Sequence, residues 1–226
     1  MKGICFKESL FNSVVKEQKT QTRRLIDKED KFIIDCGFDG EMQYVNLYDK
    51  ITGDFVKEAE ERYKVGETIY LKEPYALNIQ SSKNITADKF ERNAKILYRY
   101  AGHAIPEPLF RWKNKLFMPA KYARYFIEIT SVRCERIQDI SEEDCLKEGI
   151  LKTINYSSNR EYGWEEGQRD YYTTQQAYTA LIDKINGKGT WESNAWVWVY
   201  DFKLVNKTFD EILDENKDIL KRLKNK

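Results

Sequence analysis

The spacing of apolar residues changes several times along the chain, and each change predicts an element. Gly3 to Phe6 (GICF) is a short apolar run that reads as a buried strand. Over Lys7 to Gln18, residues Leu10, Phe11, Val14 and Val15 form the stripe of a helix with one face inward. Lys16 and Lys19 then fall in its last turn, where cations complement the helix dipole. Between Asp27 and Glu61 short apolar runs alternate with turn signals, and YVNLYDKITGDFVKE reads as a hairpin turned at Gly53. Thr68 to Lys72 predicts a strand, approached through Val65-Gly66-Glu67 and ended by Pro74. AKILYRY predicts another. Gly102, Pro106 and Pro108 predict irregular chain up to Phe110.

Further on, Arg124 to Val132 places Tyr125, Ile127 and Ile129 on one side of a half-buried strand. DISEEDCLKEGI opens with Ser141 as a cap and Asp144 three residues later, close to the Ser-x-x-Glu box, and Gly149 is a natural stop. A second helix, capped by Thr173 or Thr174, carries Ala177, Leu181 and Ile185 on one face and ends at Gly187. AWVWVYDFKLV is a long strand. Phe209, Ile212, Leu213, Leu220 and Leu223 then recur at helical spacing in an amphipathic tail, suited to this core or to a partner. Strands and helices mix without a regular βαβ alternation. The expected class is therefore α+β, built on a mostly antiparallel sheet, open or closed.

Composition narrows the reading. A chain of 226 residues buries one substantial core, which predicts one domain with insertions. Lys+Arg 38 against Asp+Glu 37 leaves no global field to attract nucleic acid, so any anion recognition must come from a local cluster. Aromatics at 14% argue against disorder and supply material for ring-lined pockets. Cys5, Cys36, Cys134 and Cys145 are widely spaced with no CxxC, so neither a zinc site with the lone His103 nor any other cofactor is expected. His103 itself reads as a surface residue. MKGICFKESL lacks the apolar core of a signal peptide and no run is long enough to span a membrane, which points to the cytoplasm.

The first candidate site is KEQKTQTRRLI, where Lys16, Lys19, Arg23 and Arg24 bracket Thr20 and Thr22. Lys19 and Thr22 lie one helical turn apart, and an amine beside a hydroxyl is a workable base and nucleophile if burial or neighbouring cations keep the amine neutral. The plainer alternative is a solvated basic helix end. Glu73, between a strand and Pro74-Tyr75, reads either as a carboxylate in a barrel mouth or as an edge-strand charge. Arg111, Trp112 and Lys113 belong to RWKNKLFMPAKYAR, whose mix of cations and rings suits phosphate and base, or else a surface loop with a buried Trp. WESNAWVWV puts Asn194 beside Trp196, which shares a strand face with Trp198, as core or as a stacking wall.

KTQTRR resembles the Gly-x-Lys-x-x-Thr-x-Arg signature of the ASCH superfamily, a small β-barrel family related to the RNA-binding PUA domains. In chain order, YKVGETIYL, then RYFIEITSVRCERIQDISEEDCLKEGI, then WVWVYDFKLV resemble the family's strand, strand with acidic helix, and closing strand. The resemblance implies an ASCH (PUA-like) domain over 1–206, with insertions at about 27–61, 76–121 and 151–194 of the kind carried by larger phage and prophage members, and a separate C-terminal helix over 207–226. In the branch that hydrolyses N4-acetylcytidine, the catalytic Lys, Thr and Glu correspond to Lys19, Thr22 and Glu148 here. That match implies Thr22 as nucleophile, Lys19 as base and Glu148 in proton transfer. The residues themselves make Arg23, Arg24, Glu73, Tyr75, Arg111, Trp112, Lys113, Asn194 and Trp196 candidates for contact with substrate or RNA. One position departs from the signature: its glycine is Glu17, which is strained if the backbone there takes a positive φ.

Three functions follow as expectations. The protein hydrolyses an N4-acyl nucleoside amide; or it binds RNA or a modified nucleoside without catalysis; or it cleaves RNA, with a lysine and a carboxylate moving the 2′-hydroxyl proton.

Overall fold

A computed structural model describes residues 1–27, 31–38, 43–78, 95–102, 111–153, 161–166, 168 and 170–224. The strands are β1 (Gly3–Cys5), β2 (Gln21–Leu25), β3 (Phe32–Phe38), β4 (Gln43–Asp49), β5 (Phe55–Glu58), β6 (Thr68–Lys72), β7 (Tyr75–Asn78), β8 (Lys95–Tyr98), β9 (Phe126–Arg136), β10 (Leu151–Lys152), β11 (Tyr162–Gly163) and β12 (Trp196–Val205). The helices are α1 (Glu8–Val15), α2 (Glu142–Lys147), α3 (Thr174–Asn186) and α4 (Phe209–Lys224). The protein is α+β with mostly antiparallel sheets; β1 and β6 pair in parallel. No closed barrel is found among the described residues, whose sheets have open strand orders. The predicted irregular stretch to Phe110 and His103 lie largely outside the described residues. No described helix is long and apolar enough to cross a membrane.

The chain divides into two compact units. The first comprises Met1–Asn12, Thr68–Ile127 and Val205–Lys226. Here β1 runs along β6 with Ile4 opposite Leu71, and Leu71 N–H donates to Tyr125 O just before β9 (3.0 Å). Ile4, Phe6, Leu10, Phe11, Ile69 and Leu71 are buried, and the Phe11 ring meets Tyr100 and Tyr125 edge-on. The amphipathic tail docks on its own chain: Ile212 of α4 is buried against Tyr70 and Phe126, with Phe209 and Val205 beside it. A reciprocal cap starts α4, with Thr208 N–H donating to Glu211 Oε2 (2.7 Å) and Glu211 N–H to Thr208 Oγ1 (3.4 Å).

The second unit comprises Ser13–Glu67 and Glu128–Leu204. Its sheet runs β9-β12-β2, with Val199 opposite Arg23 and Asp201 opposite Gln21. Val197 and Val199 are fully buried whereas Trp196 and Trp198 are half-buried; further along the tryptophan face Tyr200 and Phe202 are buried too. The 27–61 region forms a separate meander, β3-β4-β5, turned at Gly53 (φ 77°), where Asp49 Oδ1 accepts the Ile51 and Thr52 amides. Ser141 Oγ caps α2 through the Asp144 amide (3.1 Å), and Gly149 (φ 97°) follows its end. Thr173 caps α3, which buries Ala177, Tyr178, Leu181 and Ile182.

Candidate functional site

Helix α1 ends at Val15, three residues short of the predicted Gln18, because the chain turns left-handed at Glu17 (φ 58°). Glu17 N–H donates to Val14 O (2.9 Å) and Gln18 N–H to Ser13 O (2.8 Å), the paired bonds of a Schellman turn. Glycine is favoured at that position; glutamate there costs about 1–2 kcal/mol of backbone strain. The positive φ that the signature glycine would accommodate is thus present, carried by Glu17. Beyond the turn, Thr20 N–H donates to Lys147 O (2.9 Å), and Phe202 N–H donates to Thr20 O (2.8 Å). These two bonds fasten the start of β2 between the end of α2 and strand β12, setting Lys19 beside Glu148.

Lys19 is buried, and its ammonium donates to Glu148 Oε2 (2.6 Å), Glu148 O (2.6 Å) and Gln21 O (2.7 Å). Burial lowers the Lys19 pKa; Glu148 works against this, and Arg24 and Arg23 add to it. The fully buried Arg23 guanidinium reaches Glu148 Oε1 (3.2 Å), Asp144 Oδ2 (3.1 Å), Glu135 and Gln21. Burial alone would lower its pKa, but Glu148 and Glu135 outweigh that and raise it. Arg133 links Glu135, Asp144 and Asp201, and Gln21 Nε2 donates to Asp201 Oδ1 (2.7 Å). Burial of Asp144 favours its neutral form, yet Arg23, Gln21 and Arg133 hold its pKa below the usual carboxylate range.

Among the described residues Lys19, Arg23 and Arg133 meet Glu135, Asp144, Glu148 and Asp201, while Lys147 pairs with Glu143 (2.9 Å) and reaches Asp144 Oδ1 at 3.4 Å. Arg23 is spent on internal partners. Tyr178 stands against it, its ring 6.0 Å from Arg23 Cζ. The buried Tyr178 hydroxyl has no hydrogen-bond partner among the described residues, and burial holds its pKa well above the usual tyrosine value.

The structure brings Lys19, Glu148 and Arg23 together. Thr22 is buried in β2, but it is absent from the three Lys19 Nζ partners. By strand alternation Thr22 and Arg24 project from the face opposite Gln21 and Arg23. Arg24 is half-buried and lies opposite Trp198 in register. Asn194 (φ 45°) accepts Arg136 Nη1–H at its carbonyl (3.1 Å) and Gln138 N–H at Oδ1 (3.1 Å), and Arg136 Cζ lies 4.2 Å from the Trp196 ring.

The other predicted residues belong to the first unit. Glu73 is 1% exposed and takes a two-pronged contact from Arg124, Nε to Oε1 (2.8 Å) and Nη2 to Oε2 (2.9 Å). It is therefore not the edge-strand surface charge that was one of its two expected roles. Tyr75 is buried against Met118 and Tyr122. Lys113 N–H donates to Tyr75 O (2.8 Å) and its ammonium lies 5.7 Å from that ring. Arg111 is exposed and Trp112 half-buried.

Sequence reasoning missed Gln21, Arg133, Glu135, Asp144, Tyr178 and Asp201 as members of the cluster. The available signal was the alternation of Gln21 with Arg23 and of Arg133 with Glu135 along strands, which puts each pair on one face. Compared with known proteins, the chain matches no family model, no curated protein and no solved structure.

Proposed function

We propose that this protein recognises RNA or a modified nucleoside and hydrolyses an N4-acyl amide, with Lys19 and Glu148 as its proton-transfer pair. One observation carries the proposal: the Lys19 amine is buried, lies 2.6 Å from Glu148 Oε2, and is drawn toward its neutral form by that burial. The finer fold assignment, an ASCH (PUA-like) domain, rests on the order of the motif segments along the chain.

In the proposed reaction the Thr22 oxygen bonds to the acetyl carbon while neutral Lys19 takes the hydroxyl proton. This requires the Thr22 hydroxyl to replace one of the amine's present partners. Collapse of the tetrahedral adduct breaks the carbon–nitrogen bond, and the Lys19–Glu148 pair returns a proton to the departing N4 amine. Water then attacks the Thr22 ester, releases acetate and restores the hydroxyl. Incubation with N4-acetylcytidine is expected to yield cytidine and acetate, with turnover lost in Thr22→Ala and Lys19→Met. Absence of turnover in the unaltered protein, or full turnover in Thr22→Ala, refutes the mechanism.

A non-catalytic binding module is favoured by a different observation. All three ammonium hydrogens of Lys19 are already donated, and Thr22 belongs to the opposite face of β2 from Gln21 and Arg23. Under that alternative, N4-acetylcytidine or RNA binds without being changed, and RNA affinity falls as salt rises.

A further inference from the structure

A cavity of about 440 Å³ lies in the second unit, lined by the start of β3, the end of β9 and the chain leading from α3 into β12. None of the Lys19–Glu148 cluster lines it. Its volume is in the range of small-molecule sites, and its wall mixes apolar groups such as Phe32 with the cations Arg136 and Lys188.

Charge pairing sets these two cations apart. Arg23 and Arg133, elsewhere in the unit, are each held by several carboxylates. Arg136 and Lys188 have no carboxylate partner among the described residues, although Asp27 shares the wall and accepts the Phe32 amide (2.9 Å). Arg136 stacks on Trp196 at 4.2 Å, so a flat cation backed by an indole forms part of the lining. The Trp196 indole N–H is buried without an acceptor among the described residues.

The loop carrying the wall is held in advance of any ligand. Asp183 accepts both Gly189 N–H (3.1 Å) and Trp191 N–H (3.0 Å). Gln138 Nε2 donates to Trp191 O (2.8 Å). Asn194 keeps its left-handed backbone (φ 45°) through the bonds to Arg136 and Gln138. A strained residue fixed by its neighbours beside two unneutralised cations is the arrangement of a preorganised anion site.

From these features we infer that the cavity is a second binding site, for a nucleoside monophosphate unit. The planar base stacks on the Arg136–Trp196 pair and Phe32. The phosphate sits between Arg136 and Lys188. Asp27 disfavours a bare polyanion and offers an acceptor to a base N–H or a ribose hydroxyl. Such a unit comes either from a free nucleotide or from an RNA strand. The site stands independently of the proposed hydrolysis.

Calorimetric titration of the full chain with uridine 5′-monophosphate, uridine, inorganic phosphate and a short oligouridylate tests the inference. The monophosphate is expected to bind at least about tenfold more tightly than uridine or phosphate alone, because base and phosphate contacts are used together. Lys188→Glu, at an exposed position with no ion-pair partner among the described residues, is expected to weaken it about tenfold with the melting temperature unchanged. Tighter binding of the oligouridylate than of the monophosphate identifies an RNA strand as the source, and equal binding a free nucleotide. No monophosphate binding up to millimolar concentration, or equal affinity in Lys188→Glu, overturns the site.

Discussion

The two buried ion-pair systems of this protein solve the same electrostatic problem differently. In the first unit Arg124 grips both carboxylate oxygens of Glu73, and its guanidinium lies 4.4 Å from the Tyr98 ring and 4.8 Å from Tyr125. In the second unit Glu148 is shared between Lys19 and Arg23, and through Arg23 it joins a wider cluster. The difference lies in the cation. A guanidinium keeps its charge when buried and matches a carboxylate with two parallel bonds, so Arg124–Glu73 is suited to holding structure. A buried ammonium is a point charge whose proton becomes removable, and Lys19 is displaced in that direction.

The largest test of this contrast is Arg124→Met. It removes both Arg124 hydrogen bonds from the Glu73 carboxylate, 1% exposed, and is expected to cost about 3–5 kcal/mol in denaturant unfolding. Lys19→Met should cost less, about 2 kcal/mol, because Arg23 still reaches Glu148 Oε1. Equal losses would mean that the lysine is as purely structural as the arginine.

A pH series sharpens the comparison. The folded state lowers the Lys19 pKa, so between that value and the unfolded lysine value of about 10.5 the unfolded chain binds more protons. Stability contributed at this residue therefore rises with pH across that window and is flat below it, where both states are protonated. Lys19→Met should lose the rise and Arg124→Met should retain it; retention of the full rise in Lys19→Met would assign it to another group. The smallest expected effect is at the turn that delivers Lys19. Glu17→Gly relieves a left-handed φ of 58° and should stabilise the protein by about 1 kcal/mol, read as a Tm increase of about 2–4 °C. A neutral or negative change would show that no strain is stored there.

Much of the secondary structure was open to pattern reading. Thr68–Lys72 is a strand as expected, Thr173 caps α3, and Gly53 turns the 43–58 hairpin. The capping at Ser141 is local chemistry within a few residues, so sequence spacing suffices to expose it. The reading failed where a distant partner decides the outcome. A surface-edge charge was one of the roles open to Glu73, and it is a buried pair with a residue 51 positions away. Alternation put Trp196 and Trp198 on one face without saying which face is inward, and Val197 and Val199 are the more buried.

By itself the sequence determined the α+β class, most element positions, the amphipathic tail and the nearly cancelled charge, all of which depend on neighbours along the chain. It also marked Lys19 and Glu148 as one candidate site. Only the tertiary structure decided that these two meet at 2.6 Å, that Arg23 is consumed by internal carboxylates, and that Thr22 belongs to the opposite strand face. The reason is physical: burial and ion pairing depend on which residues remote in sequence become neighbours, and that information is not carried by any local spacing.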